Sequence, residues 1–462
     1  MKSVARGRGK MLAGGKIRFI PMIHLSYERG FAAFWNIKIK FQEEHKMFKK
    51  FVAIAMAVLL TVSAAVLFTG CSSDGGFKVG VILVGDETEG YTVSHINGIK
   101  EAAKELGMSD SQIEWKYSIP ETGACLDAAM DLVAKGCSVV VSNSYGHQTY
   151  MAEAAEQYPD ITFISMTGDF AAVSGIPNFK NAFTAVYEAR YVSGVVAGMK
   201  LAELLDSGTL TADAQPDSFD ADGNVKIGYV GAYNYAEVVS GYTAFYLGVK
   251  SIVPNVVMEV NYTNSWFDID KEAAAAEALI ANGCVIIGQH ADSTGAPSAT
   301  EKQLKAGKIC YSVGYNVDMI DTAPTAALTS PTNVWEVYYE HAFKTLMDGG
   351  NLETDWAKGY SDGAVKITAL GSSCAAGTAE KVAEVEAALK AGTLHVFDTS
   401  TFTVGGETVT STPIDLTYMD WSTMTPIYEG PTVEAITNGY FSESTHRSAP
   451  YFALRIDGII EK

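Results

Sequence analysis

From Phe77 onward the chain alternates short apolar runs with stretches of helical periodicity, and it does so in two successive series. Apolar runs bounded by polar turns read as fully buried strands, and strands that alternate with helices build parallel sheets covered on both faces. The first series predicts strands at Lys78–Val84, Ile113–Tyr117, Ser138–Ser142 and Ile161–Met166, with helices over Ser94–Leu106, Ala124–Ala134 and Thr149–Gln157. On the first of these helices Ile96, Ile99, Ala103 and Leu106 recur at helical spacing and give it one face to lay on a sheet. A longer helix is expected over Tyr187–Leu205.

The second series predicts strands at Lys226–Val230, Val256–Val260, Val285–Ile287 and Ile309–Val313, alternating with helices at Glu237–Val249, Ile269–Ala281 and Ala299–Lys305. Two such series predict an α/β protein of two lobes, each a parallel sheet flanked by helices, with a hinge between them. The expected lobes are residues 77–205 and 225–330, with residues 331–462 returning to complete both. Helices are expected at Val334–Met347 and Thr378–Ala391, and an exposed β-hairpin over 394–412 around Gly405 and Gly406. The acidic stretch Asp206–Asn224, which contains Pro216, reads as a surface loop. Asp220, Asp222, Gly223 and Asn224 share residue types with a calcium loop but lack its full spacing and terminal Glu, so no metal is expected.

Charge is unevenly spread. Residues 1–70 hold twelve Lys/Arg against three Glu, which leaves 22 basic and 50 acidic side chains beyond them. So acidic a body repels nucleic acid, and none is expected as a partner. The basic end instead contains a leader: Met47, Phe48, Lys49 and Lys50, an apolar run from Phe51 to Phe68, then Thr69, Gly70 and Cys71. That order of positive, apolar and small residues before a cysteine resembles a bacterial lipoprotein signal over 47–70. In such a signal the Cys71 thiol takes a diacylglycerol and becomes the mature N-terminus, with 71–76 as a polar tether. The expected location is the outer face of the cell membrane, anchored by lipid. Residues 1–46 fit no step of this scheme, and Met47 reads as the start, with the upstream piece an over-extension of the reading frame.

Five cysteines follow Cys71, an odd number without CxxC or Cys/His zinc spacing, so buried free thiols are expected. No GxSxG, P-loop or HExxH occurs, nor a GxGxxG after the first strand, so neither an enzyme nor a cofactor is expected. Ligands of parallel α/β sheets bind at the carboxyl ends of strands. After the first strand come Gly85, Asp86 and then Tyr91; after the third come Asn143, Ser144 and Tyr145. In the second series these positions read NYTNSWFD at 261–268, GQHADS at 288–293 and GYNVDM at 314–319. Rings beside amides and carboxylates at successive strand ends suit a flat heteroaromatic ligand.

The leader, GYTVSHINGIKEA at 90–102, YEARYVSGVVAG at 187–198 and KIGYVGAY at 226–233 together resemble a known family. The likeness continues through YTNSWFD at 262–268, IIGQHADS at 286–293, VGYNVDM at 313–319, LTSPTNVWEVYYEH at 328–341 and MDW at 419–421. The family is that of basic membrane protein lipoproteins, purine-nucleoside-binding components of ABC transporters. The resemblance implies a type I periplasmic-binding-protein fold that closes on a purine nucleoside or free purine base and docks on an ABC permease. The family's near-N-terminal Asp and aromatic fall on Asp86 and Tyr91, with Tyr where many members have Phe. Its second-lobe aromatic falls on Trp266, and its late GxDxD-like element on Gly314–Asp318, with Asn316 in place of the first Asp. On that reading Tyr91 and Trp266 flank the base, and Asp292, Asn316 and Asp318 accept its N–H or sugar O–H groups. Ser144 and Tyr145 complete the first-lobe contacts. The competing function is a tethered sensor that presents its ligand to a signalling partner.

Overall fold

The computed structural model describes residues 76–420 and 423–462. The leader at 47–70, residues 1–46 and the tether with Cys71 through Gly75 lie outside the described residues.

Strands β1 (Val79–Ile82), β2 (Ile113–Lys116), β3 (Val139–Ser142), β4 (Thr162–Met166) and β5 (Phe179–Thr184) form the first sheet. The second sheet is built on β6 (Val225–Gly231), β7 (Val256–Tyr262), β8 (Ile286–Gln289), β9 (Tyr311–Val313) and β10 (Ala327–Thr329). Between the sheets run β11 (Pro331–Asn333) and, beyond β12 (Asp355–Lys358), its antiparallel partner β13 (Val365–Ile367). Small hairpins follow, from β14 (Pro413–Asp415), β15 (Tyr418–Asp420), β16 (Thr425–Tyr428) and β17 (Thr432–Glu434), and then β18 (Ile436–Thr437) with β19 (Tyr440–Phe441). The last strand is β20 (Ile459–Glu461).

The first sheet has the order β12-β5-β4-β3-β1-β2 and the second β10-β9-β8-β6-β7-β20, with every neighbouring pair parallel. β1 and β3 are buried at every position, as strands covered on both faces must be. The order reverses beside β1 in one sheet and beside β6 in the other, which opens a crevice at the carboxyl ends of each. This is the two-lobed type I periplasmic-binding-protein fold.

The helices are α1 (Gly90–Glu105), α2 (Ala124–Ala134), α3 (Gln148–Gln157), the single turn α4 (Ala171–Ser174), α5 (Val186–Asp206) and α6 (Ala236–Lys250). After them come α7 (Ile269–Ala281), α8 (Gly295–Lys305), α9 (Trp335–Met347) and α10 (Thr378–Lys390). α1 buries Ile96, Ile99 and Ala103 as its spacing predicts, and Gly98 lets α9 approach it: a Cβ there would stand 2.8 Å from that of Trp335. α1 starts four residues before the expected Ser94, and the added turn brings Tyr91 to the cleft.

α5, expected to close the first lobe, packs instead on α6 of the second. A Cβ at Gly194 would lie 2.1 Å from the Phe245 carbonyl oxygen, and one at Gly248 the same distance from that of Tyr191. The chain therefore crosses between lobes at Ala185, returns along β11 and crosses again along β13. The expected hairpin at 394–412 is irregular chain with one internal bridge, Val404 to Glu407, and a second from Asp398 to Tyr440. Two causes are visible: Phe397 and Phe402 turn inward against Phe452, and the Gly405 and Gly406 N–H groups donate to the Asp457 carboxylate rather than to a partner strand. Cys125, Cys137, Cys284 and Cys310 are buried free thiols and Cys374 is partly buried; burial pushes the Cys125 thiol up to about 12. The Asp220 carboxylate accepts from Asp222 N, Asn224 N and Asn224 Nδ2, so it organises its own loop.

Candidate functional site

The lobes meet at the crevice. A Cβ on Gly90, at the start of α1, would lie 3.2 Å from Val317 Cγ2 and 3.4 Å from the Asp292 carbonyl oxygen of the opposite lobe. The closed cleft encloses a cavity of about 70 Å3. Its first-lobe wall includes Glu89, Tyr91, Asn143, Ser144, Tyr145 and Thr167, and its second-lobe wall Glu237, Trp266, His290, Asp292 and Tyr315. Each stands just beyond the carboxyl end of a strand, which is where backbone carbonyls stop pairing and side chains converge.

Each ring is fixed by a local bond. Tyr91 Oη donates to the Asn143 carbonyl oxygen at 2.5 Å, and Tyr145 Oη donates to Asp169 Oδ2 at 3.2 Å. Trp266 precedes Asp268, whose carboxylate caps α7 by accepting from Lys271 N at 3.0 Å. The Trp266 carbonyl oxygen accepts from Asp292 N at 2.8 Å, which ties the two second-lobe loops together. Glu272 ties them again, since its carboxylate accepts from both Asp268 N and Ser293 N at 3.1 Å.

Beneath the second-lobe wall lies a buried cation. Arg190 of α5 donates to Tyr229 Oη at 2.6 Å and to the Gln289 carbonyl oxygen at 2.7 Å, and its guanidinium sits 3.7 Å from the centre of the Tyr315 ring. It also donates to His290 Nδ1 at 3.2 Å, so the His290 proton resides on Nε2 and is donated to Glu237 Oε1 at 3.1 Å. Burial and the Arg190 charge both lower the His290 pKa, which keeps the ring neutral. Gly241 leaves the room for this cluster, as a Cβ there would stand 3.0 Å from Arg190 Nε.

The carboxyls are held high. Burial, and then the facing charges of Glu89, Glu272 and Glu237, push the Asp292 carboxyl well above its ordinary value, with Arg190 opposing. Burial likewise raises Glu89, against a hydrogen bond from Thr92. Two carboxyl groups from opposite lobes thus repel across the closed cleft.

Of the residues expected from sequence, Tyr91, Ser144, Tyr145, Trp266 and Asp292 come together on this cavity. Asn316 does not line it but stands behind Asp292 and donates to Oδ1. Asp86 lies outside the lining because its carboxylate closes a local turn with Thr88 N and Thr88 Oγ1; Glu89 takes the wall position instead. Asp318 is exposed and accepts from Ile320 N, turned away from the cleft. Sequence reasoning passed over Glu89, Thr167, Glu237 and Arg190. The strand-end rule covers Thr167 after β4 and Glu237 after β6, and Arg190 stands out as a charge on the first half of a helix that runs on through the apolar stretch from Val192 to Met199.

A purine-binding protein of Brucella abortus is 30% identical over 345 residues, 74% of this chain and 88% of its own length. A Haloferax volcanii protein named as an ABC transporter glucose-binding protein is 28% identical over 63% of this chain and 68% of its own length. The solute-binding protein of an ABC transporter system from Aeropyrum pernix shares the fold, with a TM-score of 0.56 at 15% identity over 70% of this chain and 93% of that one. All three are named as binding proteins. Residues 78–390 match the family model described as ABC transporter substrate-binding protein PnrA-like, and the chain belongs to that family, as the substrate-binding protein of an ABC importer.

Proposed function

We propose that this protein captures a purine base or purine nucleoside outside the membrane and delivers it to the permease of an ABC importer, held nearby by lipid on Cys71. One observation carries the ligand class: aromatic rings from both lobes, Tyr91 and Trp266, line a single cavity that also presents the buried carboxyls of Glu89 and Asp292. Rings offer faces to a flat base, and carboxylates read its edge N–H groups. Asp292 Oδ1 is occupied by Asn316, which leaves Oδ2 for the ligand. The Brucella relative named for purine binding supports the same class. The lipid anchor rests on the leader and Cys71, and the permease on the family.

Calorimetry with adenine, guanine, their ribonucleosides and D-glucose tests the ligand class. Micromolar or tighter binding of a purine is expected. Binding of glucose alone, or of none of these compounds, overturns the proposal. Fatty-acid labelling of whole cells, lost in a Cys71→Ser protein, tests the anchor.

A further inference from the structure

The family match ends at residue 390, and the chain beyond it reaches both lobes. Tyr418 and Tyr428 pack their rings on Phe170 of lobe 1, with centres 4.3 and 5.1 Å away. The chain then passes to lobe 2, where the buried Glu443 accepts from Ser240 of α6 at 2.8 Å. The same carboxylate accepts from Tyr451 N at 2.6 Å and Phe452 N at 2.9 Å, so it closes the base of a loop over 443–452. Ser444 turns the chain into this loop from left-handed backbone, at φ 58°, and its hydroxyl donates to the Ser448 carbonyl oxygen at 3.2 Å. Beyond the loop, Phe452 stacks on Phe397 and the chain runs on to β20 in the second sheet.

Carried by lobe 2, the loop sets its tip against lobe 1. Arg447 pairs with Asp169, beyond β4, at 3.4 Å, and Ser448 N donates to Asp355 Oδ2 of β12 at 2.8 Å. The two side chains of the ion pair are only 17% and 13% exposed, so salt screens them little. Asp169 Oδ2 also accepts from Tyr145 Oη, so the loop tip and a ring of the binding cavity share one oxygen. Arg447, Ala449 and Pro450 wall a space of about 500 Å3 that adjoins this cavity and shares Tyr145, Glu237 and Trp266 with it.

We propose that the loop over 443–452 is a latch between the lobes. It favours the closed cleft with or without a ligand, and release waits on parting Arg447 from Asp169 and Ser448 from Asp355. The crossings at Ala185, β11 and β13 are continuous chain and persist through opening as the hinge. The latch contacts join the lobes beside the cleft instead, and rotation about the hinge must break them. Two polar contacts are too few to fuse the lobes, yet enough to set the balance between two states a few kcal/mol apart or less.

Arg447→Ala, in the loop, and Asp355→Ala, in lobe 1, cut the latch from opposite sides, and the second carries the test should the first fail to fold. In small-angle scattering of the unliganded full chain, each should show a larger radius of gyration than the parent protein. With adenosine as the probe, each should release it about tenfold faster in a stopped-flow chase, the rate equivalent of one charge-assisted hydrogen bond. Parent-like dimensions in whichever variants fold overturn the latch, and so does a parent-like release rate in a variant that binds adenosine. Should even the parent protein fail to bind adenosine, the purine reading falls by itself and the scattering still decides the latch.

Discussion

Asn316 donates from Nδ2 to Asp292 Oδ1 across 2.7 Å, and it does so from left-handed backbone, at φ 62°. Asn tolerates that conformation better than most residues, and here it aims the amide at the carboxyl. The bond is the last of a directed series. Thr184 Oγ1 donates to Asn333 Oδ1, and Asn333 Nδ2 donates to Asn316 Oδ1 at 3.3 Å. Thr184 ends β5 and Asn333 ends β11, so two inter-lobe crossings are hydrogen-bonded to a carboxyl of the binding cavity.

Removing the amide should therefore weaken binding without unfolding the protein. Asn316→Ala is expected to lose about 1–2 kcal/mol of ligand affinity, roughly tenfold, by leaving Asp292 without its aligned donor. Asn316→Asp should lose at least as much, because it replaces that donor with a second carboxyl facing Asp292. Calorimetry checks both, and an unchanged affinity in either protein would contradict the account.

The raised Asp292 and Glu89 carboxyls predict a pH-dependent cleft. The closed cleft holds both carboxyls above the ordinary carboxylate value. Opening would return Asp292 to water and part it from Glu89, so the closed form is expected to bind protons more tightly than the open one. Lowering the pH through that interval must shift the unliganded protein toward closure. Small-angle scattering or an inter-lobe fluorescence pair should report compaction on acidification, and Asp292→Asn should blunt it. Opening on acidification would refute the sign.

Glu272 makes a separate prediction about stability. Burial pushes its carboxyl from 4.5 up to about 7, against hydrogen bonds from Asp268 and Ser293. The folded state therefore holds this proton more tightly than the unfolded chain. The contribution is fully present below pH 4.5 and is lost as pH rises through about 7. Glu272→Gln should remove about 1–3 kcal/mol of that pH dependence. Urea unfolding at pH 5 and pH 7.5 measures it, and a slope unchanged from the parent protein would count against the assignment.

The α5–α6 contact is the most sensitive to added volume. Gly194→Ala would drive a methyl group against the Phe245 carbonyl, an atom of rigid helix backbone. A loss of about 2–3 kcal/mol is expected by overpacking, seen as a lower denaturation midpoint with an unchanged slope. By contrast Trp266→Ala, at a half-buried ring, should leave the midpoint nearly unmoved and weaken purine binding by about tenfold or more.

The two-lobed fold was legible because most of the central strands, such as β1 and β3, are continuous apolar runs and helices such as α1 carry one apolar face. Five of the eight residues expected at the cleft line it, since the strand-end rule depends only on strand order and the ends of apolar runs. Asp86 and Asp318 misled because a carboxylate can turn back on its own loop, and the backbone decides that within one or two positions. β5 and β10 went unread because their runs, FKNAFT and ALT, are polar or short, and β12 and β20 because each joins a sheet edge whose neighbour lies far away in the chain. The segment at 415–419 is of the same kind, since its seat on Phe170 exists only after the first lobe has formed.

β20 also sets an order of assembly. Ile459 pairs with Met258, while the last strand of the first sheet, β12, is finished at Lys358. A chain that emerges from its N-terminal side can complete the first sheet before residues 359–461 have been made. The second must wait, with the edge of β7 unpaired and open to wrong partners, until residues 459–461 arrive. The lobe that carries Trp266 and Asp292 is thus expected to be the later to mature, with the β7 edge open to wrong pairing until β20 docks.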